Sequence, residues 1–249
     1  MNSIRETGHS EYVAWKTRNV LSPMLTTAVK LGYVFQNVAT LVPVKKYKSK
    51  TERKVWDEEQ VAQFLDSIKD HRYYPIFLIM FHYGTRRGET IGLRWQDIDF
   101  KRDIIHIRQQ IMDVNHQIMF GEPKTEAGKR DLPLLPVVKE ELLKLRDNPM
   151  YPDAKDDLIF HTKIGTPIDG HTLLRVLGDL SYKVGLPRLT LHEIRHTVAT
   201  MLKNRGVSPK DAQVILGHAD ITTTLSIYTH SDATAQRGVL SGLADSLTI

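Results

Sequence analysis

Residues 191–199 of the chain read LHEIRHTVA, and this short stretch is compatible with two different sites. Taken as His-Glu-x-x-His, it is the signature of a zinc protease, with two histidines about one helical turn apart. Taken as His-x-x-Arg, it places His192 and Arg195 on one helix face, where both side chains converge on negative charge such as a phosphate. The two interpretations exclude each other, and the surrounding residues decide between them.

The start of this helix favours the phosphate interpretation. Thr190 and Glu193 match the Ser/Thr-x-x-Glu capping box, so Glu193 has a structural role at the third helical position. Arg195 would lie within one turn of a divalent cation, where its charge is unfavourable, and no third zinc ligand follows by spacing. The first turn of a helix instead offers free N–H groups and a positive dipole end to an anion. A zinc hydrolase is therefore kept only as a remote alternative.

Composition limits the class of protein further. The chain has 249 residues, 41% of them hydrophobic and 25% charged, which indicates one large domain or one large and one small domain. The 34 lysines and arginines outnumber 29 acidic residues, which weakly favours a polyanionic partner. The absence of cysteine excludes disulfides, thiolate metal ligands and cysteine nucleophiles. The longest apolar run, PIFLIMF at 75–81, is shorter than the roughly 20 residues of a membrane span, so we expect a cytoplasmic protein.

The spacing of apolar residues predicts a mainly α fold with a small antiparallel β-sheet, which is an α+β class. Helical spacing runs up to Gly32, and a basic, polar run follows at Pro43–Lys54. That run is either a solvated linker or a strap along DNA phosphates. Asp57 and Gln60 can form a capping box that opens a second domain, with a buried helix over Pro75–Tyr83.

Beyond residue 100 the pattern changes from strands to helices. Alternation in DIIHIRQQI and HQIMFGEPKTEAGKRDLPL predicts the small sheet, with a hairpin near Thr125–Lys129. Three short helices follow, each predicted to end at a glycine: DGHTLLRVLGDLSYKVG, LTLHEIRHTVATMLKNRG and SPKDAQVILGH.

Four segments together resemble the tyrosine recombinase (phage integrase) family. In family order, they match its first arginine box, its lysine hairpin, its His-x-x-Arg helix and its final histidine–tyrosine block. The segments are YGTRRGETIGLRWQDID (83–99), PKTEAGKRDLPL (123–134), LHEIRHTVAT (191–200) and LGHADITTTLSIYTH (216–230). Upstream, LTTAVKLGYVFQNVATLV (25–42) resembles the end of the family's helical core-binding domain.

The resemblance implies a domain organisation and an activity. Residues 1–48 would be the C-terminal part of a helical core-binding domain plus linker, and residues 49–249 the tyrosine recombinase catalytic domain. The implied enzyme is a site-specific DNA recombinase or integrase that cuts and rejoins strands through a 3′-phosphotyrosyl intermediate, integrating or excising a bacterial phage or mobile element. It would need no metal, ATP or other cofactor. The alternative from a different class is a catalytically idle DNA-binding fragment of an integrase.

Carried onto this sequence, the resemblance assigns a phosphate clamp. Arg86 and Arg195 would hold the non-bridging oxygens of one DNA phosphate, and Glu89 would support the site. Two guanidinium groups suit this task because they stay charged while negative charge develops on the phosphoryl oxygens. The adjacent Arg87 is a candidate DNA contact.

The same resemblance assigns the groups that move bonds and protons. Tyr228 would be the nucleophile, Lys124 would protonate the leaving 5′ oxygen, and His192 would act as acid or base. His218 would hydrogen-bond the phosphate in the transition state. A tyrosine with an unperturbed pKa of about 10 is a poor nucleophile at neutral pH, and an alkoxide is a poor leaving group, so both proton transfers need help.

The implied partner is double-stranded DNA. The lysines of the basic run would contact its phosphates: Lys45, Lys46, Lys48 and Lys50. Four strand breaks with one tyrosine each imply a homotetramer on DNA, and a monomer in the absence of DNA is compatible with this. Accessory DNA-bending or directionality proteins are further partners of such an enzyme. An apolar stripe in the tail is expected to dock onto a neighbouring subunit: Val239, Leu240, Leu243 and Leu247.

Overall fold

The structure is a computed structural model that describes residues 11–44, 54–114, 117–148 and 157–228. The chain divides into two compact units, residues 1–52 and 53–249. The lysines of the predicted strap and the apolar stripe of the tail lie outside the described residues. Within the described ranges, no helix is both long enough and apolar enough to cross a membrane.

In the first unit, the described residues form one long helix and one short turn. Helix α1 covers Glu11–Lys30, and a single 3₁₀ turn covers Val38–Thr40. The predicted stop is confirmed, because Gly32 follows the helix with φ of 76°, a conformation that glycine adopts without steric cost. Arg18 Nε donates a hydrogen bond to the carbonyl of Ala39 at 3.0 Å and joins the turn to the helix.

The second unit is mainly helical, as predicted. Asp57 and Gln60 form the capping box that starts α2. The predicted stops of α6, α7 and α8 are also confirmed, because Gly185, Gly206 and Gly217 follow or end them with φ of 71–74°. The helices are α2 (Glu58–Ser67), α3 (Tyr74–Tyr83), α4 (Arg87–Ile91), α5 (Pro136–Arg146), α6 (Gly170–Lys183), α7 (Leu191–Asn204), α8 (Pro209–Leu216) and α9 (Ile221–Tyr228).

Five short strands form two antiparallel sheets in the described part of this unit. They are β1 (Ile98–Asp99), β2 (Ile104–Ile107), β3 (Gln110–Val114), β4 (Gln117–Gly121) and β5 (Arg130–Pro133). One sheet has the order β1-β2-β5, and β3 pairs with β4 in the other.

The predicted hairpin near Thr125–Lys129 is wrong. That segment connects β4 of one sheet to β5 of the other, and these two strands do not pair. The consecutive strands that do pair are β3 and β4. The reason is burial: β5 pairs with β2 so that Leu132 faces Ile105, and both side chains are buried in the core. The chain therefore crosses between the sheets after β4, with a 3₁₀ turn at Glu126–Gly128.

Helix α3 forms the centre of the core. Its apolar residues surround the helix, as expected of a helix buried on all sides, and it packs along α7. Gly84 ends α3 with φ of 60°, and a Cβ there would lie 2.6 Å from Leu216 Cδ2. The tight turn that follows therefore brings Arg86 close to the start of α7 and the end of α8.

Candidate anion site

An open cavity of about 590 Å³ lies between the turn after α3, strand β3 and the first turn of α7. Four of the predicted site residues line it: Arg86, Arg87, His192 and Arg195. The Arg87 guanidinium lies against Gly170, the first residue of α6, where any side chain would collide with it. The structure therefore brings both predicted clamp arginines to one cavity.

Arg86 is held by Glu89 and by the end of α8. Its Nη1 is 2.5 Å from Glu89 Oε1, and its Nη2 donates to the carbonyl of Gly217 at 2.7 Å. Glu89 is only 1% exposed, and its Oε2 also accepts from the backbone N–H of Arg86. Burial raises the pKa of Glu89, but the nearby charges of Arg130 and Arg86 outweigh it and lower the pKa overall. Glu89 is therefore a buried carboxylate that orients Arg86.

Arg130 is a further buried arginine that the sequence analysis missed. Its Nη2 is 3.0 Å from Glu89 Oε2, so Glu89 lies between two guanidinium groups. The alternation of inward and outward residues along β5 could have indicated it. Arg130 shares the inward face of this strand with Leu132, and an arginine is unusual at such a position. Together with Arg195, these residues form a cluster of three arginines and one carboxylate, which is positively charged and buried apart from the partly exposed Arg86.

Arg195 is the most buried cation of the cavity wall, with 4% of its surface exposed. Its Nη1 donates to the carbonyl of Gly84 at 3.0 Å and its Nε to His218 at 3.3 Å. Its Nη2 is buried and has no hydrogen-bond partner in the part of the chain that the structure describes. Burial, followed by the charge of Arg86, lowers the pKa of Arg195 to about 9. A buried donor without an acceptor beside an open cavity is suited to bind an anion.

His218 lies behind Arg195 rather than on the cavity wall. Its Nδ1 is 2.8 Å from Thr224 Oγ1, and both side chains are buried. Burial, followed by the charges of Arg195 and Arg86, lowers the pKa of His218 to about 3. The imidazole is therefore neutral near pH 7, and Thr224, which the sequence analysis did not single out, fixes its orientation.

The His-Glu-x-x-His residues have structural contacts. Glu193 forms the predicted capping box with Thr190, and its other carboxylate oxygen accepts from the backbone N–H of Lys54 at 3.3 Å. His192 is exposed, His196 is buried, and their rings meet edge to face with centroids 4.9 Å apart. Both oxygens of the Glu193 carboxylate thus accept hydrogen bonds from backbone N–H groups, one of Thr190 at the helix start and one of Lys54.

A group of potential metal-ligand atoms does not include the His-Glu-x-x-His residues, although one of its members, Asp113, lines the cavity. Among the described residues, one group of three brings its potential ligand atoms within 4.8 Å of one another: Asp113, Asp169 and His171. Asp169 already caps α6, because its carboxylate accepts from the backbone N–H of Thr172 at 3.1 Å. Asp113 and His171 are exposed, so the cluster is open to water.

Lys124 and Tyr228 are not among the residues that line the cavity. Lys124 is exposed in the segment after β4 and makes no hydrogen bond or ion pair with any other described residue. The nearby Lys129, by contrast, is 2.8 Å from Glu122 and 3.5 Å from Glu126. Tyr228 ends α9 with its hydroxyl buried and without a hydrogen-bond partner among the described residues, and burial raises its pKa.

Together these contacts define a protein with a buried, positively charged site that faces an open cavity. The phage integrase family matches residues 54–235, which is most of the second unit, and the chain belongs to this family. A tyrosine recombinase XerC-like protein of Caldanaerobacter subterraneus is 30% identical over 253 residues, covering 92% of this chain and 65% of that protein. The transposase of transposon Tn916 from Enterococcus faecalis is 29% identical and covers 70% of this chain and 46% of that protein. The chain thus spans about half to two thirds of these relatives.

Solved structures share the fold. The Tn1549 transposon integrase in complex with transposon right end DNA superposes with a TM-score of 0.79 and 26% identity, covering 97% of this chain and 82% of that one. A lambda integrase dimer bound to a core site has a TM-score of 0.65 at 18% identity, covering 93% and 78%. The similarity to lambda integrase is one of fold alone.

Proposed function

We propose that this chain is a site-specific DNA recombinase that cuts and rejoins strands through a 3′-phosphotyrosyl intermediate. The observation that carries the proposal is the buried Nη2 of Arg195, which has no acceptor among the residues that the structure describes and lies beside Arg86 at an open cavity. A DNA phosphate supplies the acceptor and the negative charge that this cluster lacks. Relatives bound to DNA, such as the Tn1549 integrase, support the same choice of ligand.

In the proposed reaction, Tyr228 Oη attacks the phosphorus of a DNA phosphodiester. A bond forms between the tyrosine oxygen and the 3′ phosphate, and the bond from phosphorus to the 5′ oxygen breaks. Arg86 and Arg195 hold the non-bridging oxygens as their charge increases, which is worth about 3 kcal/mol for a donor of this kind. Attack by a 5′ hydroxyl reverses the step and rejoins the strand, so no ATP is consumed.

Two protons must move in this step. The tyrosine proton passes to His192, which is exposed on the cavity wall, and the leaving 5′ oxygen takes a proton from Lys124. Lys124 is free of ion pairs within the described ranges, which leaves its ammonium available to a DNA strand. Glu89 orients Arg86, and His218 positions Arg195 before it contacts the phosphate.

The remaining parts of the proposal concern DNA and assembly. Residues 1–48 would be the C-terminal part of a core-binding domain plus linker, and the basic run at Pro43–Lys54, together with Arg87, would contact DNA phosphates. A homotetramer on two duplexes would supply four tyrosines, with the C-terminal tail docked onto a neighbour. The transposon transposases among the relatives support integration or excision of a phage or mobile element in a bacterial cytoplasm.

One observation favours the alternative of a catalytically idle DNA-binding fragment. The hydroxyl of Tyr228 is buried, and Tyr228 does not line the cavity, so the proposed attack requires α9 to move when DNA binds. A fragment in which α9 stays in place would bind DNA through the arginine cavity without cutting it.

A trapping experiment separates the two functions. The substrates are duplexes made from attachment sites of the source genome, with a nick a few nucleotides beyond the scissile phosphate. Cleavage releases the short fragment that carries the 5′ hydroxyl, so the strand cannot be rejoined and a covalent protein–DNA adduct accumulates. We expect an SDS-resistant adduct with the wild-type chain and none with Tyr228→Phe, although this variant binds DNA normally. An adduct in Tyr228→Phe contradicts the assigned nucleophile, and binding without any adduct in the wild-type chain supports the idle fragment.

A further inference from the structure

The side chain of Arg130 connects three segments that the proposed site uses. Its Nη2 pairs with Glu89, its Nε donates to the carbonyl of Ile215 at 2.9 Å, and its Nη1 donates to the carbonyl of Gly128 at 3.0 Å. Ile215 is near the end of α8, shortly before His218, and Gly128 follows Lys124 in the connection between the sheets. One buried guanidinium group on β5 thus joins α4, the end of α8 and the connection between the sheets.

The position of Gly217 makes these contacts more specific. A Cβ at Gly217 would lie 2.6 Å from Arg130 Nη1 and 2.9 Å from the carbonyl of Ala127. The carbonyl of this same glycine accepts the 2.7 Å hydrogen bond from Arg86 Nη2. Arg130 therefore packs directly on Gly217, whose carbonyl binds Nη2 of Arg86. It also pairs with Glu89, which binds Nη1 of Arg86.

Burying the charge of Arg130 in a cluster that already contains Arg86 and Arg195 has an energetic cost that a packing role does not explain. Arg130 and Glu89 are both nearly inaccessible to water, and a buried ion pair often contributes less stability than apolar side chains of the same volume. All three hydrogen bonds of Arg130 end on groups that border Arg86 or the segments of Lys124 and His218. The contacts point to a role in the geometry of the site.

We propose that Arg130 is a positioning residue of the phosphate clamp, acting through Glu89 and Gly217 to hold Arg86 in place. This inference rests on the proposed recombinase function. Arg130 itself does not line the cavity, so it acts on the phosphate only through Arg86. Its loss leaves Glu89 with one guanidinium partner and frees the end of α8, so Arg86 loses the fixed geometry of both contacts.

Two variants and one matched control test the proposal. Arg130→Met keeps an unbranched apolar stem and removes the charge and the hydrogen bonds, and Arg130→Lys keeps the charge but reaches fewer acceptors. Arg94→Met is the control, because Arg94 makes a similar ion pair with the buried Asp97, 2.9 Å from Nη2 to Oδ1, and lines no part of the cavity. The readouts are melting temperature, DNA binding and adduct formation on nicked duplexes. We expect adduct formation to fall about 100-fold in Arg130→Met, as for other small misplacements of catalytic groups, and less in Arg130→Lys.

The decisive comparison uses a scissile methylphosphonate, which carries no negative charge for Arg86 to neutralise. If Arg130 acts through Arg86, both Arg130→Met and Arg86→Ala should form the adduct on this substrate at rates closer to the wild-type rate than on the normal phosphate. The proposal is overturned if the cleavage rate of Arg130→Met is reduced by the same factor on both substrates. It is also overturned if Arg130→Met cleaves the normal phosphate at the wild-type rate. Arg94→Met is expected to melt earlier and cleave normally. If Arg130→Met does not fold, the same comparison is made with Arg130→Lys.

A crystal structure of Arg130→Met, or of Arg130→Lys, gives a readout that does not depend on activity. We expect the contact between Arg86 Nη2 and the carbonyl of Gly217 to be lost, and its retention overturns the positioning role. If the wild-type chain forms no adduct on either substrate, the proposed function fails, while the structure of the variant still decides whether Arg130 holds Arg86.

Discussion

Arg195 donates a hydrogen bond from Nε to Nε2 of His218 across 3.3 Å, and this contact determines the proton on the imidazole. Arginine has only donors, so Nε2 must be the acceptor, and the proton of neutral His218 is on Nδ1, where it is donated to Thr224 Oγ1. In this arrangement His218 positions Arg195 and has no proton on Nε2 for a phosphate oxygen. The transition-state role expected for His218 therefore requires its contact with Arg195 to change when DNA binds.

The first prediction concerns Arg195 Nη2, which is buried and has no hydrogen-bond partner in the described part of the chain. We expect sulfate, compared with chloride at equal ionic strength, to raise the melting temperature of the wild-type chain. Binding to the folded state alone contributes about 2.7 kcal/mol at a hundredfold excess over Kd. Sulfate also stabilises proteins in general, so the effect is measured against Arg102→Met, which removes a largely exposed arginine. Arg195→Met should lose the specific increase, and an equal increase in all three proteins would contradict an anion site at Arg195.

The second prediction concerns pH. The pKa of His218 is lowered in the fold to about 3, below its ordinary value of 6.5. Between these values the unfolded chain binds a proton that the folded chain does not, so stability is present above pH 6.5 and is lost as pH falls. The loss for one such group is at most about 1.4 kcal/mol per pH unit. His218→Gln removes this term, and we expect urea unfolding to show a smaller loss of stability from pH 6.5 to 4 than in the wild-type chain. Parallel curves for the two proteins would contradict the lowered pKa.

Features that depend on residues close in sequence could be predicted. The capping boxes at Asp57 and Thr190 and the stops of the helices at glycine follow from a few neighbouring side chains, and the structure has them as expected. The two clamp arginines could be located because each belongs to a local motif. Their arrival at one cavity rested on the family resemblance, since Arg86 and Arg195 are far apart in the chain.

Features that depend on pairing between distant segments could not be predicted. Strand alternation showed that Leu132 faces inward, but it did not show that β5 pairs with β2, and so the hairpin was placed wrongly. The same limit hid the role of Arg130, whose partners Glu89 and Ile215 lie 41 and 85 positions away. An arginine on the inward face of a strand was the only local indication.

The third prediction separates the two interpretations of the HEIRH sequence. In this structure the Glu193 carboxylate accepts hydrogen bonds from two backbone N–H groups, that of Thr190 at the start of α7 and that of Lys54 in the segment before α2. Glu193→Gln keeps one acceptor oxygen, which can accept from the backbone N–H of Thr190 but not also from that of Lys54. We therefore expect it to melt between the wild-type chain and Glu193→Ala and to form the DNA adduct like the wild-type chain. Glu193→Ala should lose about 1 kcal/mol of stability, as other cap deletions do, with little change in cleavage once folded.

The same experiment includes EDTA. Adduct formation is expected to persist in the chelator, because the guanidinium groups of Arg86 and Arg195 supply the positive charge that a metal would supply. If Glu193→Gln abolishes activity, or if zinc restores an activity that EDTA removes, the zinc hydrolase must replace the phosphate interpretation.

The last prediction identifies the general acid by comparing two lysines of one segment. Lys124 is free of ion pairs within the described ranges, whereas the hydrogen bond from Lys129 to Glu122 raises the pKa of Lys129 and makes it a weaker acid. We expect Lys124→Ala to slow cleavage by a factor on the order of 100 or more, as loss of a general acid does. Lys129→Ala should cleave at a rate close to the wild-type rate, which makes it the matched control.

A substrate with sulfur at the bridging 5′ position shows whether the lost function is proton donation. A thiolate leaves without a proton, because the pKa of a thiol is about 8.5, far below that of an alcohol. Cleavage of this substrate should therefore recover in Lys124→Ala but stay low in Arg195→Ala, whose defect is in holding the phosphate. If the sulfur substrate restores cleavage only in a slow Lys129→Ala variant, Lys129 is the general acid. If it restores cleavage in neither lysine variant, neither lysine donates the proton.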